Sequence, residues 1–579
     1  MLKMQYPLAE KIGNPDLFVG RHEELEDLNY WIDGIPKRLS KSKVILARRK
    51  SGKTAILQRI FNQLWSDQEK GVIPFYMSLV EEDMWLPEFA SLYYRTFASN
   101  YISYIERNPI FISKPMNFNE IREYAVSNSI KFFIEDIDLL LEHESKAQHG
   151  LMWNIAYTAP DKFASIYDKR FLVIIDEFQY IGKYIHVTPT LDKCFKSMPG
   201  SYHSVVESKL APMLVSGSYV GWMLNLMTDY LQAGRLSQYY ISPYLKPDEG
   251  LQAVYKYTEF YNCPITNETA EQINQLCLSD PYFIACVIYN SKKWDMTTSD
   301  GVIESVNSEL TGKHSMMSKT WAEYINKTVD RINDRYAKDI LLHMCKHSNR
   351  TFTPDELKNE LNIDLPTKKI HQRLETMLES DLIEDGGSDI DYKGLSDGTL
   401  YLVLRHRFEK EISNHRPDFK NDFQKQINAL KNEKKSLQGR LNSLVGKFAE
   451  YQLATDMRTR KKFSLSVYFS DIKDTKKLNI KDVSTRIKFQ RTDGKEMEID
   501  VKAESDCNRI VLIEVKKWKK KVGVQVIRDF IEKIEVYSQQ NKKKKIIPAF
   551  LSVGGFSVQA KKLCKEKKIG IAETIAYLC

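Results

Sequence analysis

Short apolar runs that end in small or charged residues alternate, over the first 240 residues, with longer stretches of helical spacing. Val44–Ile60 (VILARRKSGKTAILQRI) predicts a buried strand, a tight loop and a helix. Val72–Val80 (VIPFYMSLV) predicts a second strand, Phe171–Glu177 (FLVIIDE) a third, and Ala211–Ser218 (APMLVSGS) another short run of the same kind. Met84–Ser145 is mostly helical by periodicity, and its recurring aromatics Trp85, Tyr93 and Phe97 are expected in a core. Continuous rather than alternating apolar runs point to an α/β fold with a buried parallel sheet.

Further along, Ile241–Arg335 is helix-rich. Tyr336–His347, Thr353–Leu361 and Pro366–Ser380 predict three helices, with Thr351 or Thr353 as a cap. Leu382-Ile383, the turn Gly386-Gly387 and a strand at Leu400–Leu404 would complete a winged helix. Lys368, Lys369, His371 and Arg373 suit a helix that enters the major groove. The wing, EDGGSDIDYKG, is acidic and ill suited to phosphate contact, so DNA contact and protein docking both stay open. In Phe408–Val445, Phe423, Ile427, Leu430, Leu437, Leu441 and Leu444 follow a 4-3 repeat broken at Lys434. This predicts a long amphipathic helix, a short coiled coil or, favoured by Gly439 and the few heptads, a strut. The expected division is 1–240, 241–335, 336–407, 408–445 and 446–579.

Charge changes the picture at the C-terminal end. Of a net +9, residues 446–579 carry 31 Lys and Arg against 17 Asp and Glu, a surplus of 14. A polyanion partner such as DNA is expected there, beside the alternative of a solvated lysine-rich surface. The eight cysteines show no Cys-x-x-Cys pair, which fits a reducing cytosol and argues against structural zinc. No apolar run approaches the ~20 residues of a membrane span. MLKMQYPLAEKIG lacks a signal peptide's apolar core, so a cytoplasmic location is expected.

Two stretches carry chemistry. Ala47, Arg48, Arg49, Lys50, Ser51, Gly52, Lys53 and Thr54 fit the phosphate-binding loop, with Ala47 in place of its first glycine. Gly52 gives the backbone freedom for an anion nest, Lys53 would reach the β- and γ-phosphates of ATP, and Thr54 would ligate Mg²⁺. Asp176 and Glu177 end an apolar strand where α/β sheets gather ligands; Asp176 would hold the Mg²⁺ through water and Glu177 polarise the attacking water. A shorter acidic run at Phe132–Asp136 is the weaker candidate. Ser218 would bond that water or the γ-phosphate, and Arg235 would bring a charge to nucleotide in the same or a neighbouring subunit, or serve only as a surface arginine.

In the last segment, the helix GKFAEYQLATDMR carries Glu450, and SLSVYFS and TRIKFQR follow. EMEIDVKAE and RIVLIEVKKW read as adjacent strands joined at Ser505–Asn508, before a helix at Val524–Tyr537. Alternation puts Glu514 and Lys516 on one face, directed at Asp500, with Val515 in the core. Two carboxylates can hold one or two Mg²⁺ ions, which generate hydroxide, while a lysine orients the water or neutralises developing charge. A salt-bridged structural hairpin is the alternative.

LFVGR, the phosphate loop, IIDEFQ, SGS and the Gly234-Arg235 step, over Pro15–Pro281, resemble the archaeal-type ATPases of the AAA+/STAND division of P-loop NTPases. Ala47 departs from that family's glycine, and Ser279-Asp280-Pro281 stands where a Gly-Asn-Pro-like step is usual. Leu444–Ala576 resembles the PD-(D/E)xK nuclease superfamily, with Ile499 in place of the usual proline. That resemblance implies that Asp500, Glu514 and Lys516 are catalytic and Glu450 an additional metal ligand. The resulting expectation is a P-loop ATPase with a helical lid and winged helix, fused to a restriction-endonuclease-like domain, acting as an ATP-dependent, Mg²⁺-dependent DNA nuclease. Homo-oligomers are compatible with such an ATPase. A nucleotide-switched DNA-binding module or a STAND signalling ATPase, either with an inactive nuclease-like domain, are the alternatives.

Overall fold

The computed structural model describes residues 4–574, except 219, 232–233, 323–324, 326–334, 380–381, 389, 396, 414–416 and 518–519. Ser380, Asp389 and Trp518, parts of predicted elements, lie outside the described residues. Two compact units divide the chain at Gln424/Lys425.

In the first unit, β1 (Lys43–Leu46), β2 (Ile73–Ser78), β4 (Phe171–Asp176), β6 (Met213–Gly217) and β7 (Ser237–Tyr240) form one parallel sheet in the order β2-β4-β6-β1-β7. A two-stranded pair, β3 (Met84–Trp85) with β5 (Ile185–His186), lies apart from it. Every residue of β4 is buried, as a central parallel strand covered on both faces requires. β7 was not legible as a strand, because SQYY is half-exposed at the sheet edge. Tyr93 and Phe97 pack in the core with Phe133, Phe163 and Phe171. Trp85 instead belongs to β3, not to a helix. The acidic run Phe132–Asp136 is part of the helix Lys131–Ser145, which removes it as a strand-end site.

Four helices, Pro247–Phe260, Asn267–Leu276, Pro281–Tyr289 and Ser299–Thr311, follow the sheet. Next come the helices Arg335–Lys346, Pro354–Glu360 and Thr367–Glu379, with β8 (Thr351–Phe352), β9 (Ile383–Asp385) and β10 (Tyr392–Gly394) in the order β8-β10-β9. Thr353 caps its helix through a reciprocal bond with Glu356. Leu400–Leu404 is not a strand but part of the helix Gly398–Ser413. Leu400, Leu404 and Phe408 recur every four residues and are buried on one face.

One helix, Phe419–Arg460, runs through the boundary expected at 445/446. Its Leu437, Leu441 and Leu444 are exposed. In the second unit, Ala449, Leu453, Ala454 and Met457 of that helix pack on one face of a six-stranded sheet. The strands are β11 (Lys462–Phe463), β12 (Leu478–Gln490), β13 (Glu496–Ser505), β14 (Arg509–Lys516), β15 (Lys545–Ser552) and β16 (Gly570–Ala572), paired in chain order. The first four are antiparallel and the last three parallel. Helices Val524–Gln540 and Val558–Glu566 bury Ile527, Phe530, Ala560 and Cys564 in a second core.

A side chain at Gly394 would put Cβ 2.0 Å from the carbonyl oxygen of Met344. Gly394→Val is therefore expected to push β10 off the helix Arg335–Lys346 at a cost of about 1–3 kcal/mol. Thermal denaturation of the full chain checks this; an unchanged melting temperature would contradict the packing.

Candidate functional site

At the end of β1 the chain turns through Ala47–Gly52 into the helix Lys53–Ser66. The left-handed positions of the turn are Lys50 (φ 63°) and Gly52 (φ 90°). Ala47 is not one of them, so its Cβ imposes no backbone strain where a glycine was expected. Lys53 is buried, and its Nζ donates to the carbonyls of Ala47 (2.6 Å) and Arg48 (3.0 Å). Ser51 Oγ donates to the Arg48 carbonyl at 2.8 Å.

Asp176 and Glu177 stand beside this loop. Thr54 Oγ1 donates to Asp176 Oδ2 at 2.8 Å, and Ser216 on β6 holds the other oxygen. Glu177 has φ 58°, which turns it off the strand; Gln179 (2.6 Å) and Ser218 donate to its two carboxylate oxygens. The predicted loop, Asp176, Glu177 and Ser218 thus share one locality. Arg235 does not join them. It precedes β7 at the strand's opposite end from the phosphate loop and pairs with Glu207 at 3.3 Å. That placement sets Arg235 at the other end of the sheet from the phosphate loop of its own chain.

The loop is tied to several other parts of the first unit. Arg21, itself left-handed, donates to the Ser51 carbonyl at 3.0 Å, and Gly20 packs on Leu245 and Glu249 too tightly for a side chain. Arg49 pairs with Glu81 at 3.2 Å, and Lys50 lies 5.0 Å over the Tyr282 ring. Arg48 is the most constrained: its guanidinium pairs with Asp280, the cap of helix Pro281–Tyr289, and with Asp397 (2.5 Å), just before helix Gly398–Ser413. Thr399 donates to Asp280 at 3.1 Å, Tyr244 to Asp397 at 2.7 Å, and Trp321 lies 5.0 Å from the guanidinium. Burial alone would lower the Arg48 pKa; Asp280 and Asp397 carry it above its ordinary value. Sequence reading marked Asp280 only as a departure from a motif, and nothing near Asp397 betrayed this long-range contact.

The second site is built on β13 and β14. Val501 pairs with Ile513, which sets Asp500 beside Glu514. Asp500 Oδ2 accepts the Val515 N–H at 2.7 Å, and Lys516 Nζ lies 2.7 Å from Glu514 and 3.5 Å from Asp500. Burial, then the neighbouring Glu514, raise the Asp500 pKa. Burial opposes the charge on Lys516, but Glu514 and Asp500 together raise its pKa. The predicted carboxylate pair and lysine therefore converge, and the two carboxylates offer the hard oxygen donors that a divalent cation takes.

Glu450 is nearby but differently engaged. Arg486 donates to both of its oxygens, at 2.8 and 3.0 Å. Among the described residues, no group of three or more metal-binding side chains is assembled. Two residues were missed: Arg486, and Lys533, whose Nζ donates to both oxygens of Glu514 at 2.8 and 2.9 Å. The signal for Lys533 was present. It falls between Phe530 and Tyr537 on the apolar face of its helix, where an uncompensated lysine is expensive. Arg486 is one of several basic residues in TRIKFQR and carried no such mark.

Residues 479–574 match the Mrr_cat restriction endonuclease family. The carboxylate pair and Lys516 lie within that restriction-endonuclease-like segment. No curated protein matches this chain. Among solved structures, a Walker-type ATPase of Pyrococcus abyssi aligns with 70% of this chain and 100% of its own, at 15% identity and a TM-score of 0.45. The Aeropyrum pernix ORC2 protein, solved as ADPNP-ADP complexes, aligns with 69% of this chain and 98% of its own, at 12% identity and a TM-score of 0.38. The Thermotoga maritima RuvB Holliday junction branch migration motor covers 68% and 96%, at 10% identity and 0.31. No helix among the described residues is long and apolar enough to cross a membrane.

Replacing Arg48 by Ala leaves Asp280 and Asp397 buried without their shared cation, a loss of about 3–5 kcal/mol. Adding Asp397→Asn to that variant is expected to recover part of it. Thermal melts of the two single variants and the double variant check this, and strict additivity would break the assigned contact.

Proposed function

We propose that this chain is an ATP-dependent DNA nuclease, in which nucleotide binding by the first unit controls Mg²⁺-dependent phosphodiester cleavage by the second. The observation that carries the reading is the convergence of Asp500, Glu514 and Lys516 inside a segment that matches a restriction-endonuclease family. The basic surplus of that segment supports DNA as the substrate. Residues 1–240 act as the ATPase core, 241–335 as its lid, 336–407 as a winged-helix module, 408–445 as a helical connector and 446–579 as the PD-(D/E)xK nuclease. The protein works in the cytoplasm of a prokaryote, in defence or mobile-element biology, and a homo-oligomeric ATPase state is part of this reading.

At the nucleotide site, Lys53 exchanges its loop carbonyls for the β- and γ-phosphates, and the helix Lys53–Ser66 turns its N-terminus to them. Mg²⁺, when bound, would neutralise phosphate charge, with Thr54 and Asp176 to hold it. Glu177, fixed by Gln179 and Ser218, orients the attacking water. At the nuclease site, Asp500 and Glu514 would hold Mg²⁺, with Glu450 joining once released; the metal would supply hydroxide and offset charge on the phosphate. Lys516 orients the nucleophile between those carboxylates.

The Arg486–Glu450 pair favours a second reading, a nucleotide-switched DNA-binding module whose nuclease-like domain is inactive. Cleavage of duplex, branched and single-stranded DNA, with and without ATP and Mg²⁺, decides between them.

The roles assigned give three expected outcomes. Lys53→Ala is expected to weaken ATP binding at least about a hundredfold, since it removes the one full charge directed at the phosphates. Glu177→Gln is expected to keep binding and stop hydrolysis; calorimetry and phosphate release measure the two, and loss of binding in Glu177→Gln would reverse the carboxylate roles. At the second site, Asp500→Asn and Glu514→Gln are each expected to reduce cleavage at least about a thousandfold while DNA binding survives. A shared loss of melting temperature with DNA binding abolished would instead mark a structural hairpin.

A further inference from the structure

We propose that Arg486 and Lys533 are exchangeable counter-ions of the nuclease site: they hold Glu450 and Glu514 at rest and pass to DNA phosphate when substrate arrives. The proposal rests on the nuclease reading and adds two positioning residues and an order of assembly to it.

Two of the three carboxylates that would serve a metal, Glu514 and Glu450, are already bridged by a cation from a different element. Lys533 comes from the helix Val524–Gln540 and bridges both oxygens of Glu514, which is itself almost fully buried. Arg486 comes from β12 and takes both oxygens of Glu450 on the long helix. Lys516 adds a second positive charge to Glu514. A divalent cation needs the same lone pairs and meets the same positive charges, so metal alone binds against this arrangement. A phosphodiester supplies the negative charge that makes release of the two side chains favourable. Both are placed for that exchange: Arg486 is 40% exposed and Lys533 22%, while their carboxylate partners are 8% and 5%.

Arg486 carries a second mark. It lies in β12 between Thr485 and Ile487, which pair with Val501 and Ile499, so it faces Asp500 across the ladder. At that position its backbone is left-handed, φ 56°, which a non-glycine residue in the middle of a strand adopts at a cost. Strain of this kind persists where surrounding structure enforces it, and here it aims a planar two-pronged donor at the edge of the carboxylate cluster. A guanidinium fork fits a phosphate as well as it fits Glu450. By linkage, if DNA frees the carboxylates for metal, metal must strengthen DNA binding by the same factor.

The test uses the full chain without nucleotide, Mn²⁺ as the probe read by electron paramagnetic resonance, and a phosphorothioate duplex that resists cleavage. The parent is expected to bind Mn²⁺ weakly alone and about tenfold or more tighter with the duplex. Lys533→Gln and Arg486→Gln are each expected to bind Mn²⁺ about tenfold tighter without duplex, to lose most of the duplex effect, and to cut more slowly. Lys533→Arg is expected to restore the Mn²⁺–duplex coupling, and Asp500→Asn to abolish the Mn²⁺ site. Variants that bind Mn²⁺ no better than the parent, with the duplex effect intact, overturn the proposal and leave the two side chains as structural salt bridges. A melting temperature measured on each variant separates that outcome from misfolding. A parent that cuts DNA but shows no coupling removes this proposal alone; coupling without any cleavage removes the nuclease reading alone.

Discussion

Arg48 is the joint on which the first unit depends. Two carboxylates, Asp280 and Asp397, lose their hydration around it, and only a shared, fully ionised guanidinium makes that burial tolerable. Because Arg48 belongs to the phosphate loop, Asp280 caps a helix of the following bundle and Asp397 precedes Gly398–Ser413, the ion cluster makes these elements one structure. Tyr244, Trp321 and Thr399 close it against water and strengthen every charge in it. A ligand that alters the path of the phosphate loop must therefore disturb helices far from it in sequence.

What the sequence disclosed, and what it hid, follow the range of the interactions. β1, β2, β4 and β6 were legible because a parallel strand buried on both faces must be written as a continuous apolar run. The loop was legible because left-handed backbone at Gly52 and a lysine after it are local requirements. Asp500, Glu514 and Lys516 could be placed together from alternation along two strands and the short turn between them. By contrast, Arg48–Asp397 spans 349 positions and Lys533–Glu514 links a strand to a separate helix, so neither has a local period. The misreadings had nearer causes. Leu400–Leu404 reads as a strand because five apolar or aromatic residues in a row satisfy either period, and only Phe408 further on reveals the helical one. Arg235 followed a Gly-Arg pattern, but β7 runs parallel to β1, so the residue before β7 must lie at the end of the sheet away from the loop.

The two sites solve one electrostatic problem in the same way. Each gathers buried charged and polar groups, and each of those groups has an internal partner. Lys53 is satisfied by the carbonyls of its own loop, Thr54 by Asp176, Glu177 by Gln179 and Ser218. In the second unit Glu450 is satisfied by Arg486 and Glu514 by Lys533 and Lys516. Internal partners of this sort keep buried polar groups from destabilising the fold, and they make every ligand compete with them.

That competition has a consequence for specificity. A partner that is easily displaced lets any ion of the right sign enter, whereas one that leaves only when a second ligand accepts it admits the two ligands together. Lys53 is of the first kind, since neutral carbonyls give it up to any phosphate that fits the loop. Arg486 and Lys533 are of the second, because a carboxylate gives up its cation most readily when another anion accepts that cation. On this argument the loop lysine is open to any anion that fits it, whereas the carboxylates of the second unit and their cations come apart only as a linked exchange, as the proposed coupling of metal and phosphate requires.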